Sequence, residues 1–254
     1  MPHLRPLLGV LALACLLAPL PGALGALGAQ ESKDGGEVPS SLPRDLAIPL
    51  HLQIGVPTGA FAQNVAMAGG AGGGILWAFD EMLGFRADLG VQIYGAETRR
   101  VPLGSGALSL IDVDVTTTNA IFSGAIGVQL GMPSGQFTPY AGAQIGFGSF
   151  TTSTSVNGSN SQEEPFATTT NLSDATTARI LYGGVYIPLR GRRAVLDLGV
   201  RRIWHGRAVR YLTPGDITEL PSGEVILSPR ESLADMYTIT LGVTLRGGAR
   251  PPKS

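Results

Sequence analysis

The feature that most constrains the fold of this chain is a two-residue alternation of apolar with polar or small side chains. In segment 84–97, GFRADLGVQIYGAE, Phe85, Leu89 and Val91 share one face, whereas Arg86 and Asp88 share the other. A period of two is that of a β-strand. One such strand fits either a soluble sheet, whose polar face meets water, or a membrane barrel, whose apolar face meets lipid and whose polar face meets the lumen.

Eight strand-like segments follow one another along most of the chain. They span 46–56, 72–79, 85–95, 120–130, 137–150, 179–189, 194–204 and 236–246. Most have the about 9–11 residues that a tilted strand needs to cross a bilayer. Beyond the N-terminal run, no segment has the ~20 consecutive apolar residues of a membrane helix, so the sequence predicts that any crossing is made by strands.

The connections between these segments alternate strictly between short and long. DEML, GMPSGQ and RGRR are tight turns, whereas the connections over 151–178 and 205–235 are the longest. Short periplasmic turns and long outer loops are typical of an up-and-down transmembrane barrel. The sequence therefore predicts an all-β fold, an eight-stranded antiparallel up-and-down transmembrane β-barrel over 46–246, with mobile Thr- and Ser-rich outer loops.

The two ends of the chain carry different signals. Residues 1–29 place Arg5 before an apolar run and then small residues, which predicts a cleaved secretory signal peptide, and 30–45 reads as a disordered linker before the barrel. Cys15 allows an alternative lipoprotein reading of the leader. Residues 247–254 form a C-terminal tail. A formal net charge of -1 gives no reason to expect a nucleic-acid partner.

The less apolar face of the strands is made mainly of Gly, Ala, Ser, Thr and Gln, which suits the narrow interior of an eight-stranded barrel. Isolated buried charges are costly, so we expect the lumenal ions to form pairs or a network. A narrow pore is the alternative to a polar filling. The predicted lumenal polar network is Arg86, Asp88, Gln92, Gln144, Asp197 and Arg201, and the same parity turns His51, Gln53 and Gln129 inward.

The chain resembles the outer-membrane β-barrel domain proteins of Gram-negative bacteria, in particular the small OmpA/OmpX-type barrels. The resemblance rests on IGVPTGAF (54–61), FRADLGVQIYG, FTPYAGAQIGFG, VLDLGVR and YTITLGVTL. It implies an outer-membrane location, lipid and lipopolysaccharide as surroundings, assembly by the barrel-assembly machinery, a monomer and no cofactor. One departure is the tail RGGARPPKS, which stands where such chains usually end on an aromatic residue.

The same resemblance raises an enzymatic alternative, because some small outer-membrane barrels modify lipid A with a His, a Ser and an acidic partner. His205 is the best-placed histidine, with Ser232 and Asp235 across the last loop, while His51 has no serine companion. No nucleophile elbow supports this reading, so no catalytic residue is predicted. Asp112, Asp114 and Asp174 suggest a metal only weakly, because hard cations need about six oxygen ligands, and no metal site is predicted.

Two further groups of side chains are predicted to meet the membrane. Arginines at the outer strand ends are candidates for lipopolysaccharide phosphate contacts, because guanidinium binds phosphate in a bidentate manner: Arg99, Arg100, Arg179, Arg207 and Arg210. Aromatic residues at the two interfaces would form the girdles: Trp77, Phe79, Phe85, Phe137, Trp204 and Tyr237. We expect a non-enzymatic role in membrane integrity, adhesion or surface binding. A soluble periplasmic barrel that binds an apolar ligand would instead reverse the two faces.

Overall fold

The structure, a computed structural model, describes residues 45–102, 112–133, 136–158, 167–189, 194–219 and 225–247. The predicted leader lies outside the described residues, as do the linker apart from residue 45 and the tail apart from residue 247. Eight strands close into one antiparallel barrel, in which each barrel strand pairs with the next one along the chain and the last pairs with the first. The predicted eight-stranded up-and-down barrel is thus confirmed.

The barrel strands fall into two length classes. Four have 11 or 12 residues: β1 (Leu46–Pro57), β2 (Ala68–Ala78), β7 (Ala194–His205) and β12 (Met236–Arg246). Four have 19 to 22 residues: β3 (Leu83–Pro102), β4 (Asp112–Leu130), β5 (Thr138–Gly158) and β6 (Ala167–Pro188). The long strands are neighbours, so they continue past the others as a four-stranded sheet, here called the outer extension.

The outer extension corrects the prediction of mobile loops in this part of the chain. Segments 96–102, 112–119, 151–158 and 167–178 belong to strands, although they were expected to be connections. The physical reason is their richness in Thr and Val, because β-branched side chains fit a pleated sheet. Bulges between Ile93 and Gly95 and between Thr152 and Ser153 mark the change from barrel to extension.

Short turns connect the strands at the barrel end that carries the start of β1 and the end of β12. In the β2–β3 turn, Asp80 Oδ1 accepts hydrogen bonds from the backbone N–H groups of Met82 and Leu83, both at 2.7 Å. After β4 the chain bends at Gly131, whose φ of 84° is in the region that favours glycine. The opposite end of the barrel, which carries the longer connections and the extension, is called the outer end below.

The polarity of the barrel is inverted relative to a soluble protein. Charged and amide side chains of the strands are buried inside, among them Arg86, which is 1% exposed. The outer surface carries large exposed apolar side chains on all eight strands, for example Leu52, Leu89 and Ile145 at 59%, 70% and 67% exposure. This arrangement contradicts the soluble alternative, because a soluble barrel would bury its apolar face. Within the described ranges, no helix is long and apolar enough to span a membrane.

The connections at the outer end fold over the mouth of the barrel. The β1–β2 connection contains a short 3-10 helix (Phe61–Gln63). The β7–β12 connection contains two small two-stranded sheets: β8 (Val209–Tyr211) pairs with β11 (Arg230–Ser232), and β9 (Ile217–Glu219) pairs with β10 (Val225–Leu227). These connections therefore have structure of their own and supply the cover of the lumen.

Candidate functional site

The middle of the lumen holds a network of charged and amide side chains. Asp88 Oδ2 accepts hydrogen bonds from Arg86 Nε at 2.9 Å and from Gln144 Nε2 at 2.7 Å, and it lies 3.3 Å from Arg201 Nη2. Arg86 Nη1 also donates to Gln129 Oε1 at 2.9 Å. The alternating parity of β3, β4, β5 and β7 points all five side chains to the barrel axis. One carboxylate thus binds two guanidinium groups away from water.

Asp197 lies in a second part of the network, nearer the short turns. Its carboxylate accepts hydrogen bonds from Tyr140 at 2.5 Å and from Thr244 at 3.3 Å. The Tyr140 ring stacks on Tyr186, with 4.4 Å between centroids, and Arg86 lies 5.2 Å from the centroid of Tyr182. Sequence reasoning missed Tyr182 and Tyr186, although the alternation that pointed the lumenal ions inward applies equally to β6.

Charge in this inner region is balanced. Two guanidinium groups, Arg86 and Arg201, are matched by two carboxylates, Asp88 and Asp197, all at most 8% exposed. Chemically, the network therefore fills the lumen and leaves no excess charge to attract a permeating ion.

The outer end of the lumen is closed by aromatic rings, here called the aromatic plug: Phe61, Tyr94, Phe150 and Tyr211. The Phe61 ring is 0% exposed and contacts the other three edge-on, with centroid distances of 5.9, 6.0 and 5.0 Å, respectively. Edge-to-face packing at such distances stabilises aromatic pairs. The plug brings together the β1–β2 connection, two barrel strands and the β7–β12 connection.

Polar contacts hold the mouth loops onto each other. Arg230 Nε and Nη2 donate to the Asp216 carboxylate at 2.9 Å, and Arg230 Nη1 donates to Asn64 Oδ1 at 2.7 Å. Burial alone would raise the pKa of the Asp216 carboxyl, but hydrogen bonds from Arg230 and Thr213 outweigh it, so the pKa lies below its ordinary value. Arg230 thereby fixes the cover of the plug.

A small cavity of ≈ 30 Å³ lies between the network and the plug. Gln92, Asp88 and His205 line it together with apolar side chains such as Ile121 and Ile203. Asp88 Oδ1, Gln92 Nε2 and His205 Nδ1 have no hydrogen-bond partner within the described part of the chain. Gln92 therefore lines this cavity without a hydrogen bond to Asp88. Its predicted companions Arg86, Gln144 and Arg201 all contact the Asp88 carboxylate.

His205, Ser232 and Asp235 do not form a catalytic arrangement. The His205 ring packs edge-on against Phe150 at 5.5 Å, and its backbone N–H donates to Asp235 Oδ1 at 2.9 Å. Ser232 Oγ pairs with the Tyr211 hydroxyl at 3.0 Å. A nucleophile, base and orienting acid must hydrogen-bond in sequence. Here the His205 and Ser232 side chains contact residues of the plug, and Asp235 accepts a backbone N–H. His51 bonds Gln53 at 3.0 Å inside the lumen.

Two of the three aspartates considered as metal ligands make ion pairs in the structure. The Asp112 side chain lies outside those the structure describes, Asp114 pairs with Arg100 at 3.0 Å, and Asp174 pairs with Arg207. In the described ranges, no three His, Cys, Asp or Glu side chains come together as ligands. A hydrogen bond from Arg207 lowers the pKa of Asp174. Both carboxylates act as ion-pair partners.

The arginines predicted to contact phosphate have different environments. Arg99 pairs with Glu97 at 2.8 Å on the outer extension, where Arg100 pairs with Asp114. Arg207 pairs with Asp174, and the exposed Arg210 lies in β8. Arg179 alone among the predicted set faces outward at the edge of the apolar belt, opposite Ile145 and Trp204.

The predicted girdle residues all face outward in two groups. Trp77, Phe79, Phe85 and Phe137 lie near the short turns, and Trp204 and Tyr237 lie near the outer end. Arg202, which sequence reasoning missed, lies beside the second group, with Cζ 5.3 Å from the Trp204 centroid and 4.5 Å from the Tyr237 centroid. The sequence could have indicated this position, because Arg202 directly follows the lumenal Arg201 and therefore faces outward.

Comparisons with known proteins give matches among solved structures. No protein-family model matches the chain, and no curated protein matches it. Among solved structures, Neisserial surface protein A is similar at 13% identity over 80% of this chain and 97% of the other, with a TM-score of 0.45. OprG from Pseudomonas aeruginosa is similar at 12% identity over 80% and 96%, with a TM-score of 0.43. Ail of Yersinia pestis is similar at 12% identity over 79% and 95%, with a TM-score of 0.37.

The fold follows from the geometry of this chain. Eight antiparallel strands close without an edge, the ionic side chains lie inside and the large apolar side chains lie outside. The resemblance to the small eight-stranded outer-membrane barrels is thereby confirmed at the level of the fold.

Proposed function

We propose that this chain is a non-enzymatic outer-membrane protein with a structural and surface-interaction role. The observation that carries the proposal is the inverted polarity of the barrel, with buried ions and an exposed apolar belt. A belt of this kind is stable only in a hydrocarbon environment. A closed barrel also satisfies its backbone hydrogen bonds within the membrane, since no strand edge is left open. We further propose that it assembles through the barrel-assembly machinery and acts as a monomer.

A structural role is favoured over a narrow pore by the filling of the lumen. The ionic network occupies the middle and the aromatic plug occupies the outer end, with Phe61 completely buried. Eight-stranded barrels have room only for their own side chains. A conducting state would require Phe61 to leave the plug, which exposes a large apolar ring to water.

A surface-interaction role is favoured by the outer extension. Its outward face aligns Thr98, Thr116, Ser155 and Thr168 in one row across four strands. The segment of β6 beyond its pairing with β7 corresponds to roughly 35 Å of strand. Hydroxyl groups both donate and accept hydrogen bonds, so this rigid sheet offers a partner a polar surface fixed well beyond the membrane.

The test has two parts. Fractionation of cells that express the chain is expected to recover it in the outer membrane, with gel migration that changes on boiling. Proteolysis of intact cells is expected to cut the outer connections and leave the barrel. Recovery as a soluble periplasmic protein would refute the location.

A His205→Ala variant separates the proposed role from the enzymatic alternative. The variant is expected to leave the lipid A of the host membrane unchanged relative to the parent chain, because His205 packs against Phe150 and contacts no nucleophile. A host lipid A modification that requires the parent chain and disappears with this variant would refute the non-enzymatic role.

A further inference from the structure

The outer rim of β6, β7 and β12 carries a cluster of cationic and aromatic side chains on the surface that faces away from the lumen. This rim cluster consists of Arg179, Arg202, Trp204 and Tyr237. The Arg202 guanidinium lies close to both rings, with Cζ 5.3 Å from the Trp204 centroid and 4.5 Å from the Tyr237 centroid. Arg179 lies directly opposite Trp204 in the β6–β7 register. Two guanidinium groups therefore occur on neighbouring strands, next to interfacial aromatic rings.

Arg202 is held in place by contacts that leave much of its charge available. Nη1 donates to Thr58 Oγ1 at 2.8 Å, and Nη2 is 3.9 Å from Asp235 Oδ2, which is too long for a direct hydrogen bond. The other Asp235 oxygen accepts the backbone N–H of His205 at 2.9 Å. Ring faces attract the guanidinium without neutralising it. The geometry thus orients Arg202 and leaves its charge only weakly paired.

Acidic side chains are scarce around the rim cluster. Over 179–187 and 237–245 the two flanking strands contain no Asp or Glu, and Asp197 of β7 points into the lumen. Arg179 makes no ion pair with the described residues. In the described part of the rim, two guanidinium groups are therefore accompanied by one nearby carboxylate, Asp235, beside Arg202. The rim cluster thus carries an excess of positive charge, which favours an anionic ligand.

The apolar belt begins directly below these charges. Leu181 pairs in register with Arg202, and Val200 and Ile239 lie one step further from the outer end, with exposures of 54%, 49% and 50%. A ligand that contacts both surfaces must combine a negative headgroup with hydrocarbon chains. The rings of Trp204 and Tyr237 mark the level at which such a headgroup meets the chains.

We propose that the rim cluster binds the phosphate-bearing headgroup of an outer-leaflet glycolipid of the lipid A type. Arg179 and Arg202 donate charge-assisted hydrogen bonds to the phosphate, and the acyl chains lie along Leu181, Val200 and Ile239. This inference rests on the proposed outer-membrane location. It moves the phosphate contact from the arginines of the extension and the mouth loops to the belt edge, with Arg179 common to both sets.

The experiment uses the full chain folded in a neutral detergent and follows the boiling-dependent gel shift against temperature. Bisphosphorylated lipid A is expected to raise the midpoint of the parent chain, whereas dephosphorylated lipid A and inorganic phosphate are not. Arg179→Gln and Arg202→Gln are each expected to raise the concentration of bisphosphorylated lipid A needed for half the shift by about tenfold, since each removes charged hydrogen bonds. Arg210→Gln is the matched control, because Arg210 is an exposed arginine away from the belt.

Three outcomes would overturn the inference: an unchanged lipid A requirement in Arg179→Gln, an equal loss in Arg210→Gln, or an equal shift with inorganic phosphate. Arg179→Gln is decisive if Arg202→Gln fails to fold, because Arg179 makes no hydrogen bond or ion pair with the residues that the structure describes. The proposed function fails separately: a chain recovered outside the outer membrane refutes the location even if the purified barrel binds lipid A.

Discussion

Replacement of Asp88 by Ala is expected to destabilise the barrel more than any single change on its surface. The Asp88 carboxylate binds Arg86 at 2.9 Å, Arg201 at 3.3 Å and Gln144 at 2.7 Å, and the residue is 5% exposed. Its removal leaves two buried guanidinium groups, and Asp197 is then the one buried carboxylate of the described strands that remains in the lumen. Breaking a buried ion pair from one side costs about 3–5 kcal/mol. We expect a loss of unfolding free energy in that range.

Chemical unfolding in detergent micelles measures this loss through tryptophan fluorescence. The sequence contains two tryptophans, Trp77 and Trp204, and both face outward. Unfolding moves them from an apolar surrounding to water, so their emission shifts to longer wavelength. The midpoint and slope of the transition give the change in the free energy of unfolding for each variant.

Glu97→Ala is the matched control, because it removes a carboxylate from an Arg–acid pair in solvent. Arg99 and Glu97 are separated by 2.8 Å, but their side chains are 53% and 35% exposed. Solvent screens such pairs, so only a small change is expected. The reasoning is refuted if Asp88→Ala and Glu97→Ala shift the transition equally. Asp88→Asn, which retains shape and hydrogen bonding, should fall between them.

Three further changes test other parts of the barrel. Gly184→Ala would press a methyl group against the β7 backbone and is expected to lower the free energy of unfolding by about 1–3 kcal/mol. Its control, Gly183→Ala, places the methyl group on the outward face and should fold normally, as measured by the gel shift. As the pH falls below 3.8, the ordinary pKa of Asp216, and then through its lower folded pKa, the pair with Arg230 should be lost and hydrogen exchange of 209–217 should rise. Arg230→Gln should weaken this pH dependence, because only the hydrogen bonds from Thr213 then favour the charged carboxylate. Phe61→Ala removes the centre of the plug and should cost about 3–5 kcal/mol in chemical unfolding.

Much of the fold could be predicted from local patterns. Side chains alternate with a period of two, so the positions of Arg86 and Leu89 on opposite faces follow from one strand. The alternation of short and long connections predicted the antiparallel up-and-down order. Strand length beyond the membrane could not be judged in this way, because Thr- and Ser-rich segments such as 151–156 suit both a loop and a paired strand.

The candidate sites depend on contacts that local sequence patterns do not predict. Parity predicts that Asp88 and Arg201 both face the lumen, but it does not say that they meet, because β3 and β7 are not neighbours and their relative height depends on the stagger of the closed barrel. The aromatic plug was out of reach for the same reason, since Phe61 and Tyr211 come from different connections.

The sequence by itself determined the number of strands, their inward and outward faces and the transmembrane class of the barrel, since these depend on spacing along the chain. Only the tertiary structure decided which charges are paired, what closes the mouth and which arginines stay available. Arg207 and Arg202 look alike in sequence, but one pairs with Asp174 and the other lies between two rings at the belt edge. That difference depends on Asp174 and Tyr237, which are far from these two arginines in sequence and which the folded barrel brings close to them.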